Sequence, residues 1–318
     1  MTSPRVIGVD LGGTKLLAGV VDRAGVVLER TLRETDVSSP GALLAQLDEA
    51  IAELAANGVD AIGLGLPAII DQRRGAPVSA TNVPLGGIDL RARMEQRFGV
   101  PVGVENDANA AALAEHRFGA GRGVRDMVMV TLGTGIGGGL ILGGRLYRGA
   151  RGVAGELGHV VVDLDGPPCQ GDCPGHGHLE VLASGTAADA LAQATATRHP
   201  GGDLGRAAAA GRHVDARLAV ELAAAGDGDA RRVIGTVAER LGQGLVGLVN
   251  TFDPEVVVLG GGFARAGELL FEPIRAIVRA QAMPLVRDEV RILPATLGVE
   301  AGLVGAGVVG FELLDHGA

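Results

Sequence analysis

Residues 6–15 read Val6-Ile7-Gly8-Val9-Asp10-Leu11-Gly12-Gly13-Thr14-Lys15. A short apolar run ends in an acid, two glycines follow, and a second apolar run begins at Leu16 and ends at Asp22. Strands are short apolar runs bounded by turn residues, so this stretch predicts a strand, a glycine turn and a returning strand. A turn at Arg23-Ala24-Gly25 and a third run, Val26–Thr31, extend it to an antiparallel meander. The design recurs in the middle of the chain. Met127–Leu132 and Gly139–Leu142 flank the loop Thr131-Leu132-Gly133-Thr134-Gly135-Ile136-Gly137-Gly138-Gly139.

Between and after the two hairpins the periods alternate. Pro40–Asn57 places Leu43, Leu44, Leu47, Ile51 and Leu54 at helical spacing. Ala61–Leu66 reads as a strand, Leu90–Phe98 as a helix, Val102–Val104 as a short strand and Asn106–Phe118 as a helix. In the second half Val160–Asp163 reads as a strand and Leu179–Thr195 as a helix. Asp203–Asn250 is largely helical, with breaks at Gly211 and Gly226-Asp227-Gly228. Val256–Leu259, Val290–Leu293 and the helix Glu300–Leu314 complete the chain. Strands alternating with helices in two repeats predict an α/β fold of two related units.

Composition bounds the function. The chain has 318 residues, about two domains' worth. Its 47% hydrophobic and 20% charged residues exclude a disordered chain. The net charge of −9, with aromatics at 2% and no Trp, argues against nucleic-acid binding. The longest uncharged stretch, Met127–Gly144, is split by glycines and reads as strands, not a membrane span. The N-terminus shows no basic start followed by an apolar run. The expectation is a cytoplasmic protein with no nucleic-acid or membrane partner.

Five segments suggest chemistry. Glycines in the Asp10–Lys15 turn allow backbone N–H groups to face a phosphate, Asp10 can orient Mg²⁺ through water, and Lys15 is the only lysine. The Thr131–Gly139 loop makes a second such cradle, and two facing cradles would clamp a nucleotide triphosphate. Neither loop is a GxxxxGK[ST] phosphate loop. Asn106 and Asp107 open a helix, which suits either an ordinary cap, worth about 1 kcal/mol, or a carboxylate acting as general base. Cys169 and Cys173, with His159 ten residues before and His178 five after, offer a Cys₂His₂ zinc set; His176 could replace His178, and incidental thiols on an exposed loop are the bland alternative. Gly260-Gly261-Gly262, ending a buried strand, would let a flat adenine or ribose face approach the backbone.

Taken together, these segments resemble the ROK family (repressor, open reading frame, kinase) of the sugar kinase, heat-shock protein 70 and actin superfamily. The stretches that match the family's pattern are DLGGTK, GLGLPAIID, VENDANAAALAE, GVAGELGH, VVLGGGF and LGVEAGLVGAG, in family order over nearly the whole chain. Two departures stand out. Ala68 replaces a usual glycine. In the zinc segment Cys169 sits two residues further upstream than the family's first cysteine, and His178 takes the place of its third.

The resemblance implies two ribonuclease H-like or actin-like lobes with a cleft between them. The smaller is expected from residues 1–118 plus 301–318, and the larger, with the zinc loop, from 119–300. It implies ATP- and Mg²⁺-dependent phosphorylation of the 6-hydroxyl of a hexose, glucose first. N-acetylmannosamine, fructose or allose as substrate, and polyphosphate as donor, stay open. It makes Asp107 the base. Asn106, Glu156, His159 and Glu180, helped by Asn82, hold the sugar. Asp10, Gly12, Gly13, Thr14, Lys15, Thr131, Gly133, Thr134, Gly135 and Gly260–Gly262 serve ATP. A structural Zn²⁺ falls to His159, Cys169, Cys173 and His178, with His159 serving zinc and sugar by different nitrogens. A homo-oligomer, dimer or tetramer, is expected. The family's repressors carry an added N-terminal helix-turn-helix; with the first strand at Val6, none is expected here, which disfavours a sugar-responsive regulator.

Overall fold

The structure, a computed structural model, describes residues 4–80, 83–171 and 173–316. Asn82 lies outside the described residues. The chain opens with strands β1 (Val6–Leu11), β2 (Lys15–Val21) and β3 (Val27–Glu34) and helix α1 (Pro40–Ala55). Strands β4 (Ala61–Leu66), β5 (Ala68–Asp71) and β6 (Ala76–Ala80) lead to α2 (Leu90–Phe98), β7 (Val102–Asn106) and α3 (Asp107–Phe118). Then come β8 (Met127–Leu132), β9 (Ile136–Leu142) and β10 (Arg145–Leu146). Helices α4 (Leu179–Ala183), α5 (Gly185–Arg198), α6 (Asp203–Ala209), α7 (Ala216–Ala224) and α8 (Gly228–Phe252) follow. The chain closes with β11 (Val256–Gly260), α9 (Glu268–Gln281), β12 (Arg291–Pro294) and α10 (Ala301–His316). Among the described residues no helix is long and apolar enough to cross a membrane.

Two mixed five-stranded sheets carry the fold. One has the order β3-β2-β1-β4-β7, the other β10-β9-β8-β11-β12. In the first, β1 pairs antiparallel with β2 and parallel with β4, and β7 extends the parallel part. In the second, β11 runs parallel to both β8 and β12. The chain divides into two compact units, Met1–Arg125, Gly139–Gly155 and Thr296–Ala318 against Asp126–Gly138 and Glu156–Ala295. Gly139–Gly155, expected in the larger lobe, groups with the first unit. Gly139 sits against α3, where a Cβ would come 2.5 Å from the Ala112 methyl, and Arg148 pairs with Glu105.

The two faces of the first sheet are covered differently, and β1 shows why. Ile7, Val9 and Leu11 point to one face and join Leu43, Leu47 and Ile51 of α1 in the core. That helix starts where the sequence asks it to: Ser39 accepts from the Ala42 amide and Pro40 occupies the first turn. Val6, Gly8 and Asp10 alternate onto the other face, under α10. There Gly19, Gly8, Gly63 and Gly103 are register neighbours across β2, β1, β4 and β7. The row has no side chains, so α10 lies directly on the sheet. A Cβ on Gly63 would stand 1.7 Å from the Ala306 carbonyl oxygen, and one on Gly305 of α10 1.7 Å from the Ala110 oxygen of α3.

Three expectations change. Val160–Asp163 is not a strand: only Val161 bridges to His178, because the segment wraps around its own histidines and cysteines. The helix expected over Leu179–Thr195 breaks at Ser184, whose extended backbone ends α4 while its hydroxyl caps α5. The strands gain β5, β6 and β10, which lack the length and alternation that mark a strand in sequence, and β9 starts three residues earlier than expected, at Ile136.

The glycine row makes a stability prediction. Gly63→Ala should destabilise the protein by about 2 kcal/mol or more, since the obstacle is a helix carbonyl and not a yielding side chain. Gly235→Ala, in open space within α8, should instead stabilise by about 0.5–1 kcal/mol. Denaturant midpoints of the two variants check both signs.

Candidate functional site

In the first unit the Gly12–Lys15 turn is held from below. The Gly12 amide donates to the Lys15 carbonyl at 2.8 Å, the Thr35 amide donates to the Thr14 carbonyl, and the Thr35 hydroxyl donates to the Gly12 carbonyl at 2.7 Å. Thr14 and Lys15 are left exposed at the rim. Asp10 ends the same strand on the α10 face. A Cβ on Gly302, in the first turn of α10, would lie 2.5 Å from its carboxylate. Burial pushes the Asp10 carboxyl up to about 6, while the positive end of α10 favours the ionised form. An acid so placed suits a hydrated divalent cation.

Also in the first unit, β7 passes into α3 at Asn106 and Asp107. Asn106 is the cap: its Oδ1 accepts from the Asn109 amide at 3.0 Å, and its Nδ2 donates to the Ala68 carbonyl at 3.4 Å. The capping role weighed from sequence thus falls to Asn106. Asp107 is the first helical residue, where the helix dipole favours a carboxylate. Its Oδ1 accepts from the Ala108 amide at 2.8 Å.

In the second unit the Gly133–Gly135 loop is clipped to the start of α5. The Gly185 amide donates to the Gly133 carbonyl at 2.9 Å, and the Thr186 hydroxyl to the Thr134 carbonyl at 2.8 Å. On its other side Glu180 accepts from the Ile136 amide at 2.7 Å. A Cβ on Gly185 would strike the Gly133 carbonyl oxygen, and one on Gly135 would displace the Glu180 carboxylate. Gly133, Thr134 and Gly262 border a cavity of about 720 Å³. Its other walls include Thr186, Arg217, Phe263 and Arg265. Gly260 ends β11, and Gly261 turns the chain at φ +86° against Leu132. Thr131 is half-buried at the end of β8.

Glu156, His159 and Glu180 neighbour one another in this unit. Burial raises the Glu156 carboxyl above its ordinary value; His159 opposes the rise and Glu180 adds to it. The His159 Nε2 lies 4.0 Å from the Glu156 carboxylate. Its other nitrogen faces a second cluster. There His159, Cys169, Cys173 and His178 bring one ligand atom each within 4.8 Å of all the others. His178, not His176, completes the set.

The two Nδ1 atoms are 3.2 Å apart, His159 Nδ1 is 3.6 Å from the Cys169 sulfur, and His178 Nδ1 is 3.7 Å from the Cys173 sulfur. Tetrahedral zinc bonds imply edges of about 3.3 Å between nitrogens and about 3.6 Å between nitrogen and sulfur. The donor set therefore fits such an ion. Burial, with Cys173 adding to it, raises the Cys169 thiol; a cation reverses that preference by taking thiolates.

The sequence profile of the ROK family matches residues 6–310. The chain belongs to the ROK family. The glucokinase of Thermotoga maritima is 36% identical over 310 residues, 96% of this ROK chain and 97% of that relative. A ROK family glucokinase from Streptomyces griseus, solved in complex with glucose and AMPPNP, matches with a TM-score of 0.83 at 38% identity. The match covers 97% of this chain and 99% of that one. The ROK hexokinase of Thermus thermophilus matches with a TM-score of 0.81 at 38% identity, over 98% and 100% of the two chains.

The sequence did not single out Gly185 and Thr186 beside the Gly133 loop, nor Arg217 and Arg265 in the cavity wall. Ser184 before an alanine-rich run was an available capping signal for the first pair. Arg217 sits in no motif and arrives by tertiary placement alone, while Arg265 follows the glycine turn of the Val257–Gly267 segment without a signal of its own.

The buried Asp10 predicts a pH dependence. A carboxyl raised from about 3.9 to about 6 stabilises the fold below its unfolded value and loses that contribution as pH rises through 6. Asp10→Asn should therefore stabilise by about 1–3 kcal/mol at pH 8, with the gain vanishing near pH 4. Thermal melts of both proteins across that range test it; an equal gain at every pH would sink the assignment.

Proposed function

We propose that this ROK protein transfers the γ-phosphoryl group of ATP to the 6-hydroxyl of a hexose, with glucose the preferred acceptor. The observation that carries the reading is the grouping of Glu156, His159 and Glu180 in one unit. The same unit clips its glycine loop beside a nucleotide-sized cavity. A hexose presents several hydroxyls at once, and paired carboxylates with an imidazole supply the acceptors to hold them. The likeness to a relative solved with glucose and AMPPNP supports it.

In this reading Asp107 takes the proton of the 6-hydroxyl as its oxygen attacks the γ-phosphorus. The bond from that phosphorus to the β–γ bridging oxygen breaks, ADP leaves, and Asp107 later releases the proton to solvent. Asn106, Glu156, His159 and Glu180, with Asn82, hold the other hydroxyls. The turns at Gly12–Lys15 and Thr131–Gly135 face the phosphates, Lys15 adding charge, and Gly260–Gly262 approach the nucleoside. Mg²⁺, held through Asp10, would neutralise phosphate charge. Zinc at His159, Cys169, Cys173 and His178 would be structural. With one nitrogen so engaged, His159 would present its other nitrogen to the sugar.

A panel of sugars with coupled ADP detection tests the activity. Glucose should give the highest kcat/KM with ATP. N-acetylmannosamine, fructose or allose in first place would overturn the substrate, and transfer from polyphosphate but not from ATP would overturn the donor. Asp107→Asn should lower kcat by about 10²–10⁴-fold with glucose binding kept. A variant holding more than about a tenth of the wild-type rate would move the base elsewhere.

Metal analysis should find about one zinc per chain. Cys173→Ser should lose metal and raise the KM for glucose through His159. A folded, active, metal-free sample is the contrary result.

A further inference from the structure

One buried carboxylate of the first unit has no part in the chemistry proposed so far. Glu105 precedes Asn106 and Asp107 on β7 and is 1% exposed. Its Oε1 accepts from the Asn106 backbone amide at 3.0 Å, the Asn109 Nδ2 at 3.0 Å and the Gln72 Nε2 at 3.3 Å. Its Oε2 accepts from the Arg148 Nε at 2.5 Å. The donors come from the β7–α3 junction, the first turn of α3, the turn after β5 and the segment after β10.

A buried charge is costly to keep, and an apolar residue of the same size often serves stability as well or better. Here a further cost is visible. Asn109 turns its NH₂ to Glu105, and its Oδ1, also buried, has no hydrogen-bond partner among the described residues. Packing alone does not account for such a cluster. Its effect is local: Asn106 is held at its backbone by Glu105 and at its side chain by Asn109. Asn109 is itself held by Glu105. Asp107 sits between these two anchored residues.

We propose that Glu105, neutralised by Arg148, is a positioning residue that fixes the β7–α3 junction and thereby the direction of the Asp107 carboxylate. The proposal rests on the reading of Asp107 as the base. Glutamine at 105 would keep the size but replace one acceptor oxygen with an NH₂. That group would face a donor on whichever side it lay, Arg148 or the two asparagines, and the junction would shift. Misplacing a reacting group by about 1 Å can cost about 10²-fold in rate.

The test compares Glu105→Gln, Asp107→Asn and the double variant by steady-state and single-turnover kinetics, with ATP and the sugar selected by the panel. Glu105→Gln should lower kcat about 10- to 100-fold and leave the KM for ATP unchanged. In the Asp107→Asn background the same substitution should cost nothing further, because the group through which it acts is gone. A merely structural role would subtract equally from both backgrounds, and that result overturns the proposal. So does a Glu105→Gln enzyme with wild-type kcat beside an inactive Asp107→Asn. A fully active Asp107→Asn instead overturns the reading of the base, and this proposal with it. If Glu105→Gln does not fold, Arg148→Lys takes its place. It keeps the charge but loses the planar donor, and should lower kcat about tenfold, again only where Asp107 is present; an unchanged kcat overturns the proposal.

Discussion

The first unit depends on a helix backbone lying against a sheet backbone. Four glycines in register strip the sheet of side chains along one line, and α10 occupies the space they leave. Closeness of this kind is not adjustable: a methyl group at Gly63 would meet a carbonyl oxygen. Two consequences follow for the candidate site. The first turn of α10 comes to rest beside Asp10, so the acid at the end of β1 faces a helix N-terminus. Gly305 brings α10 equally close to Ala110 of α3, so the helix that starts with Asp107 is set by the same contact. Asp10 and Asp107 are thus located by one element that contributes no functional side chain of its own.

The second unit uses polar anchors where the first uses close backbone contact. Its glycine loop is held by α5 on one side and by Glu180 on the other. The long segment between His159 and His178 has almost no regular structure, and among the described residues its β-bridges are the single ones Val161–His178 and Pro168–His176. Backbone hydrogen bonds such as Cys169 N–H to the Gly175 carbonyl and Gly177 N–H to the Pro167 carbonyl fold the segment back on itself and bring the four ligand atoms together. His159 links that cluster to Glu156 and Glu180, so the acidic group depends on the geometry of the sulfur and nitrogen atoms behind it.

Much of this was legible from residues alone, for definite reasons. The limits of β4, α2 and β8 follow from sharp changes between apolar runs and turn residues, and α1 begins at a Ser-Pro signal. The ligand set His159, Cys169, Cys173 and His178 stood out because cysteine and histidine are scarce here. Spacing could not choose between His176 and His178, since both lie within reach on a glycine-rich loop; the choice is made by the turn at Gly177, whose carbonyl accepts from the Val162 and Asp163 amides. Glu105 was visible only as a letter in a motif. Its burial and its four donors depend on β5, β7, α3 and the segment after β10 meeting, which no local period encodes. The cavity walls from α7 were hidden for the same reason.

The position of α10 also bears on how the protein is made. On the ribosome the sheet of the first unit emerges early, but the helix that covers it follows the whole of the second unit. At about 5–20 residues per second the uncovered face waits on the order of ten seconds or more. An ordinary sheet face, studded with valine and isoleucine, would be a sticky surface to leave bare for so long. Here its central line is glycine, so the apolar area is confined to side chains such as Val6, Leu17 and Val21 that flank the row, and less of it is left to attract a wrong partner. The same bareness that obliges the last helix to fit so closely keeps the nascent half of the protein quiet until that helix arrives.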